Sequence, residues 1–188
     1  IKLDGVDGSE HWRQYMPFAE GATEPELAIR AAVDGDALVA MPVRRSDTEV
    51  NVQLARYDSD SGNVIWATEL SEANGFAGYV DVATFLLDDA GDIVIVLRER
   101  PGDDSRVRVG RLDGDSGQVL WSRQYDSPVG QDDYPRSVDL DQIGNVFVAA
   151  SSDRVGEEMT ILVLKFDSLT GSILWARRGL HTNAMRAD

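Results

Sequence analysis

Two pairs of aspartates carry the spacing with the most chemical promise. Asp58 and Asp60 in DSDSG (58–62), and Asp113 and Asp115 in DGDSG (113–117), read Asp-x-Asp-x-Gly, the opening of a loop that wraps a hard cation in carboxylate oxygens. Calcium is the ion such a set would take. The pattern stops short of a full calcium loop, because no third oxygen donor and no distal glutamate follow at the required spacing. The corresponding stretch DSLTG (167–171) has Leu169 where the second aspartate would stand. Asp, Ser and Gly in so short a stretch also make a turn cap: the carboxylate accepts nearby backbone amides and glycine takes a positive φ. Turn capping is the leading reading, with calcium at Asp58, Asp60, Asp113 and Asp115 as the alternative.

Other chemistry finds few anchors. Cysteine is absent and the histidines are His11 and His181 alone, so disulfides, thiolate metal sites and a Ser-His-Asp relay lack their parts within this sequence. His11, beside Trp12, reads as a surface or packing residue. Asp81, Asp132, Asp133 and Asp139 are acidic without any feature that marks one as a base, and no phosphate-cradling or nucleophile-elbow motif occurs. No catalytic or cofactor-binding residue is assigned. A net charge of −15, from 33 acidic and 18 basic side chains, disfavours polyanions such as nucleic acid, whose binding relies on a basic footprint. The apolar runs, such as Ile93 to Leu97, are strand-sized and far short of a membrane span. With 43% hydrophobic residues in 188 the chain reads as globular.

The elements that must position these aspartates are repeats. KLDGVDGSEHW (2–12), RYDSDSGNVIW (56–66), RLDGDSGQVLW (111–121) and KFDSLTGSILW (165–175) each place a basic residue, an aspartate, a glycine and a tryptophan at fixed offsets. The members are Lys2, Arg56, Arg111 and Lys165; Asp4, Asp58, Asp113 and Asp167; Gly8, Gly62, Gly117 and Gly171; and Trp12, Trp66, Trp121 and Trp175. Successive tryptophans lie 54, 55 and 54 residues apart, and such a period signals a repeat architecture. The basic residues read as structural, pairing with an aspartate or lying over a sheet edge, surface contacts worth about 0–1 kcal/mol each.

A second turn falls between the tryptophans, in VDGDALVAMP (33–42), LDDAGDIVIVL (87–97) and LDQIGNVFVAA (140–150). Two turn-plus-strand modules per repeat predict four antiparallel strands; for the third repeat they fall near 136–140, 146–151, 159–166 and 172–177. Strands apolar at every position, Ile93 to Leu97 and Ile161 to Leu164, are those of sheets covered on both faces. The expected fold is all-β: β-propeller blades of four antiparallel strands, with each tryptophan on the last strand filling the wedge between neighbouring blades. ATEPELAIRAAV (22–33) looks helical by its capping box and alanines, but its place in the repeat favours a strand, preceded by a short helix. Repeats run over about 19–70, 76–125 and 131–178. Residues 1–18 read as the end of a preceding blade and 179–188 as the start of a following one, so 1–188 is expected to form a single partial propeller domain within a larger ring, completed by further blades or by assembly of copies.

The combination D-x-x-T/S-G-x-x-x-W with D-x-x-G-N-V-F-V, clearest in DLDQIGNVFVAAS and ILVLKFDSLTGSILW, resembles the PQQ-like (quinoprotein-like) and SBBP-type β-propeller repeats. The resemblance covers essentially the whole chain. It implies that Trp66, Trp121 and Trp175 dock adjacent blades. It also implies a functionally mixed family, some members being quinone-dependent dehydrogenases and others non-catalytic scaffolds and assembly factors. The dehydrogenases need a catalytic aspartate, calcium ligands and, in many members, an adjacent cysteine pair, which this chain lacks. The expectation is a non-catalytic scaffold or protein-interaction module of a secreted, cell-surface or periplasmic protein, with no cofactor, with protein partners or self-assembly, and without nucleic acid or membrane insertion. The alternative is part of an oxidoreductase using PQQ and calcium. A third reading is a glycan-binding propeller, through Tyr79 and Tyr134.

Overall fold

Alternating turn chemistry and β-branched runs translate directly into sheet in a computed structural model of the chain, which describes residues 1–13, 28–47, 49–76, 79–100, 104–127, 131–154 and 159–179. The strands are β1 (Lys2–Leu3), β2 (Glu10–Trp12), β3 (Ala28–Ala31), β4 (Ala37–Arg44), β5 (Val50–Tyr57), β6 (Val64–Leu70), β7 (Tyr79–Leu87), β8 (Ile93–Arg100), β9 (Arg106–Leu112), β10 (Val119–Tyr125), β11 (Gln131–Leu140), β12 (Val146–Arg154), β13 (Thr160–Phe166) and β14 (Ile173–Arg178). Three antiparallel meanders result, β3 to β6, β7 to β10 and β11 to β14, after a lone hairpin of β1 and β2. The fold is all-β and its meanders are propeller blades, as the repeat predicts. The first two blades form one continuous sheet through a single parallel pair, Val50 with Tyr79. Among the described residues no helix is long and apolar enough to cross a membrane, which says nothing of β-barrels.

Strand β8 shows why its sequence is apolar throughout. Ile93, Ile95 and Leu97 join a core with Leu38, Ala40, Val52, Leu54 and Leu70 of the first blade. Val94 and Val96, on the other face, join Val146, Val148, Leu162, Leu164 and Phe166 of the third. All five β8 residues are fully buried, and removing each such side chain from water contributes about 1.5–3 kcal/mol. A period of two is hidden where both faces are covered.

One local reading changes. Strand β11 begins at Gln131, five residues before the expected start, so QDDYP is strand despite its turn-like composition. The ladder accepts Pro135 by shifting register between Pro135 and Ser137, where proline needs no amide partner. Of the helix-like segment 22–33, residues 22–27 lie outside the described residues, while Ala28–Ala31 forms β3 against β4. Partnership with a neighbouring strand outweighs the weak preference of alanine for helix. The described chain also holds one short 3-10 helix, Glu72–Asn74, capped by Ser71 and ended by Gly75 at φ 88°. It delivers Phe76, fully buried, onto Gly110 of β9, where a Cβ would stand 2.7 Å from the ring.

Candidate functional site: a clamp between repeats

The Asp-Gly turns are built by the aspartates themselves. Asp58 Oδ1 accepts from the Ser61 amide at 2.7 Å, the Ser61 hydroxyl at 2.6 Å and the Asp60 amide at 3.2 Å. Asp113 repeats this with Ser116 at 2.8 and 2.6 Å, and Asp167 with Thr170 at 2.8 Å from both donors. Asp4 accepts from Val6 at 2.8 Å and Asp7 at 3.2 Å, with His11 Nε2 3.2 Å from its other oxygen. These donors favour the ionised form: Ser61 lowers the Asp58 carboxyl below its ordinary value, Ser116 does so for Asp113, Thr170 for Asp167, and the Val6 amide followed by His11 for Asp4. Each turn closes on glycine, whose amide returns to the aspartate carbonyl, as from Gly62 to Asp58 at 2.9 Å.

The second aspartate of each pair points elsewhere. Asp60 is exposed, and the Asp115 side chain is 98% exposed, meeting only the edge of Arg56 at 3.3 Å. Leu169, at the same place in the next turn, is 84% exposed. A solvent-facing position tolerates either residue. Among the described residues no group of three or more His, Cys, Asp and Glu gathers as a metal site. One oxygen of Asp58 and of Asp113 is committed to turn amides, an arrangement that fits a cap.

Around these turns the basic residue and the tryptophan form a clamp that recurs three times. Lys2 Nζ and Trp12 Nε1 both donate to the carbonyl of Ser59, at 2.6 and 2.9 Å. Arg56 Nη1 and Trp66 Nε1 converge on the Gly114 carbonyl at 2.7 and 3.1 Å. Arg111 Nη1 and Trp121 Nε1 converge on the Ser168 carbonyl at 3.3 and 3.0 Å. The acceptor is always the residue after the motif aspartate of the next repeat. Its own amide is held within its blade by the residue after the other turn's glycine: Ser59 by Asp36 at 2.9 Å, Gly114 by Asp92 at 3.3 Å and Ser168 by Asn145 at 3.2 Å. One residue's main chain thus ties two turns and two repeats.

The arginines are anchored before they reach across. Arg56 pairs with Asp34 and, at 2.8 Å, with Asp36; Arg111 pairs with Asp88 and, at 3.1 Å, with Asp92. Both guanidinium side chains are only 12% exposed. The aspartate partner follows from the sequence; the second duty, donation into the neighbouring repeat, leaves no mark in it. Lys165 meets Asp141 at 2.9 Å and lies 4.7 Å above the Phe147 ring, and its ammonium is the first cause holding the Asp141 carboxyl far below its ordinary range.

The glycine four residues after each aspartate completes the clamp. A Cβ on Gly62 would stand 2.5 Å from the Trp12 ring, on Gly117 2.6 Å from Trp66, and on Gly171 2.5 Å from Trp121, all at φ near 70°. Each of these three indoles lies over the glycine of the next repeat, so Trp12, Trp66 and Trp121 fill the wedge between repeats. A side arm extends two joints: Thr68 Oγ1 donates to the Gly117 carbonyl at 2.9 Å and Arg123 Nη2 to that of Thr170 at 2.7 Å.

A second polar cluster sits where the second blade passes into the third. The Ser105 amide donates to Asp132 Oδ1 at 2.7 Å, and the Ser127 hydroxyl, itself contacted by Arg178, donates to fully buried Asp133 at 2.6 Å. Partial burial pushes the Asp132 carboxyl up, but Ser105, Tyr134 and Arg98 together hold it below its ordinary value. Tyr134 stacks under Arg98 at 4.3 Å and near Arg136 at 5.8 Å, so its ring is engaged by guanidinium groups. Asp139 is exposed on β11. Tyr79 and Asp81 lie in β7 with side chains outside the described residues, and His181 lies outside them altogether. Asp132 and Asp133 are thus engaged by serines and arginine.

Four-stranded blades recurring every 54 or 55 residues, each clamped to the next through a tryptophan, define a β-propeller-type repeat protein. The chain belongs to the PQQ-like repeat family: the family model described as "Outer membrane protein assembly factor BamB" matches residues 1–185. No curated protein matches it.

Proposed function

We propose that this chain is a non-catalytic β-propeller scaffold, a protein-interaction module of the cell envelope. One observation carries the reading. At three successive joints the basic residue, the first aspartate of the receiving turn and the tryptophan are engaged in the turn and in the clamp between repeats. What remains for function is shape and the loops at the blade ends, which is how a scaffold presents itself to protein partners. The family description, an outer membrane assembly factor, supports both the envelope setting and partners that are proteins.

The test sets this against an oxidoreductase of the same fold. Purified chain is supplied with PQQ and calcium, and quinone uptake is followed by absorbance alongside dye-linked oxidation of alcohols and aldoses. The scaffold reading expects neither bound quinone nor dye reduction. Saturable quinone binding with turnover overturns it.

A further inference from the structure

We propose that the outer edge of β6 receives an extended strand of a partner protein, a segment of alternating apolar residues flanked by lysine or arginine. Each blade ends on an outermost strand, β6, β10 or β14, which among the described residues pairs on one side only, with β5, β9 and β13. Such an edge offers main-chain donors and acceptors to any extended chain, and proteins guard it with charged side chains. Two of these three edges are guarded. Arg123 Nη1 folds back onto the Ser122 carbonyl at 2.8 Å, and Arg177 Nη1 onto that of Ala176 at 2.9 Å. On the inner edge strand β3, Arg30 does the same to the Ile29 carbonyl at 2.8 Å.

Strand β6 carries no such guard. Ala67 stands opposite Ala55, in the register that Ser122 and Ala176 hold opposite Gly110 and Leu164, so its carbonyl faces outward as theirs do. Thr68 takes the place of the arginine and sends its hydroxyl into the next repeat, to the Gly117 carbonyl at 2.9 Å. Glu69, the one charged residue of the strand, is turned to Arg45 and Asn51. What is left is a strand of 7 residues with Val64 and Ile65 exposed to 54% and 49% and Ala67 exposed beside them. An added strand satisfies the outward main chain and covers these side chains. Charge selects its source. Asp60, exposed in the turn before β6, and a net charge of −15 favour a cationic segment. A second copy is disfavoured: pairing β6 with itself across a two-fold axis at Ala67 brings Glu69 and Glu72 of each chain towards the other's Asp60, and like charges oppose the contact.

The proposal rests on the reading of the chain as a protein-interaction module, and the two fail separately, since quinone turnover bears on that reading alone. The probe is a synthetic peptide of alternating valine and threonine with a lysine at each end, titrated into the isotopically labelled 188-residue chain. Amide shifts are expected along Val64–Leu70 and not along Val119–Tyr125 or Ile173–Arg178. Thr68→Arg, which copies the guard of β10, should weaken binding at least about tenfold, the worth of one or two main-chain hydrogen bonds. Arg123→Thr should open a second site, with new shifts along Val119–Tyr125. Each substitution installs a side chain that another blade already carries at that place, so the fold is kept. A peptide ending in glutamates should bind more weakly than the lysine peptide. No shift along β6, binding unchanged by Thr68→Arg, no new site in Arg123→Thr, or equal binding of the glutamate peptide overturns the proposal. So does self-association of the chain that Thr68→Arg abolishes, which would give the edge to a second copy.

Discussion

Gly117 has no side chain because the Trp66 ring occupies the place where one would go. Gly91 has a similar positive φ, 88°, but open space around its Cβ position. The two separate backbone strain from crowding: Gly91→Ala should cost about 1 kcal/mol, the left-handed penalty alone. Gly117→Ala should cost about 2–4 kcal/mol, because the indole must also move. Urea denaturation compares them, and equal costs would refute the stacking account. The turn aspartates make a pH prediction. Asp58, Asp113 and Asp167 are held below the ordinary 3.8 by the turn donors, so below that value the unfolded chain takes up protons before the folded one does. Stability from these groups is full above about pH 5 and drains away as pH falls through their lowered values. A urea midpoint unchanged between pH 6 and 3 would contradict this. Calcium and chelator should leave the melting temperature unmoved, since no group of three or more ligating side chains gathers among the described residues; a rise with calcium, absent in Asp58→Asn, would restore a cation site.

At the scale of the element, each clamp joins a strand end to two turns, and in the two clamps built on arginine, Arg56 and Arg111, the guanidinium is held by two carboxylates. Arg111→Met leaves Asp88 and Asp92, 10% and 23% exposed, facing one another without a cation, which should cost about 3–5 kcal/mol. Arg111→Lys keeps the charge but cannot span two carboxylates and a carbonyl, so its cost should be smaller, near 1 kcal/mol. Thermal melts of the two variants decide whether charge or fork geometry matters. This is also where sequence and structure part. Strands and turns were legible because Asp-x-x-x-Gly and runs such as Ile93 to Leu97 have local causes: amide capping and two-sided burial. The wedge role of tryptophan was legible from its period. The shared carbonyl was not, because Ser59, Gly114 and Ser168 accept through the main chain and differ as side chains. Nor was the early start of β11, since Gln131–Pro135 is strand through its ladder with Ala150–Arg154 of β12, a partner further along the chain whose extent the turn-like composition of QDDYP does not announce.

Among the described residues the main contacts between blades run from each blade to the next, so stability is close to a sum of blade terms and joint terms. Trp66→Ala should weaken one joint by about 3–5 kcal/mol and separate the unfolding of β3 to β6 from that of β7 to β14. Hydrogen exchange by mass spectrometry would show it as faster exchange confined to the first blade; uniform acceleration along the chain would mean that the joints are not the units of coupling. The clamp carbonyl has a last consequence. A joint made through a main-chain oxygen and a bare glycine is indifferent to which blade supplies it, so blades behave as interchangeable parts with a common fitting. Excising residues 67–121, one period of 55, would set Trp66 on Gly171 with every contact type intact. The same fitting lets the number of blades grow or shrink by whole repeats while the loops at their ends diversify independently.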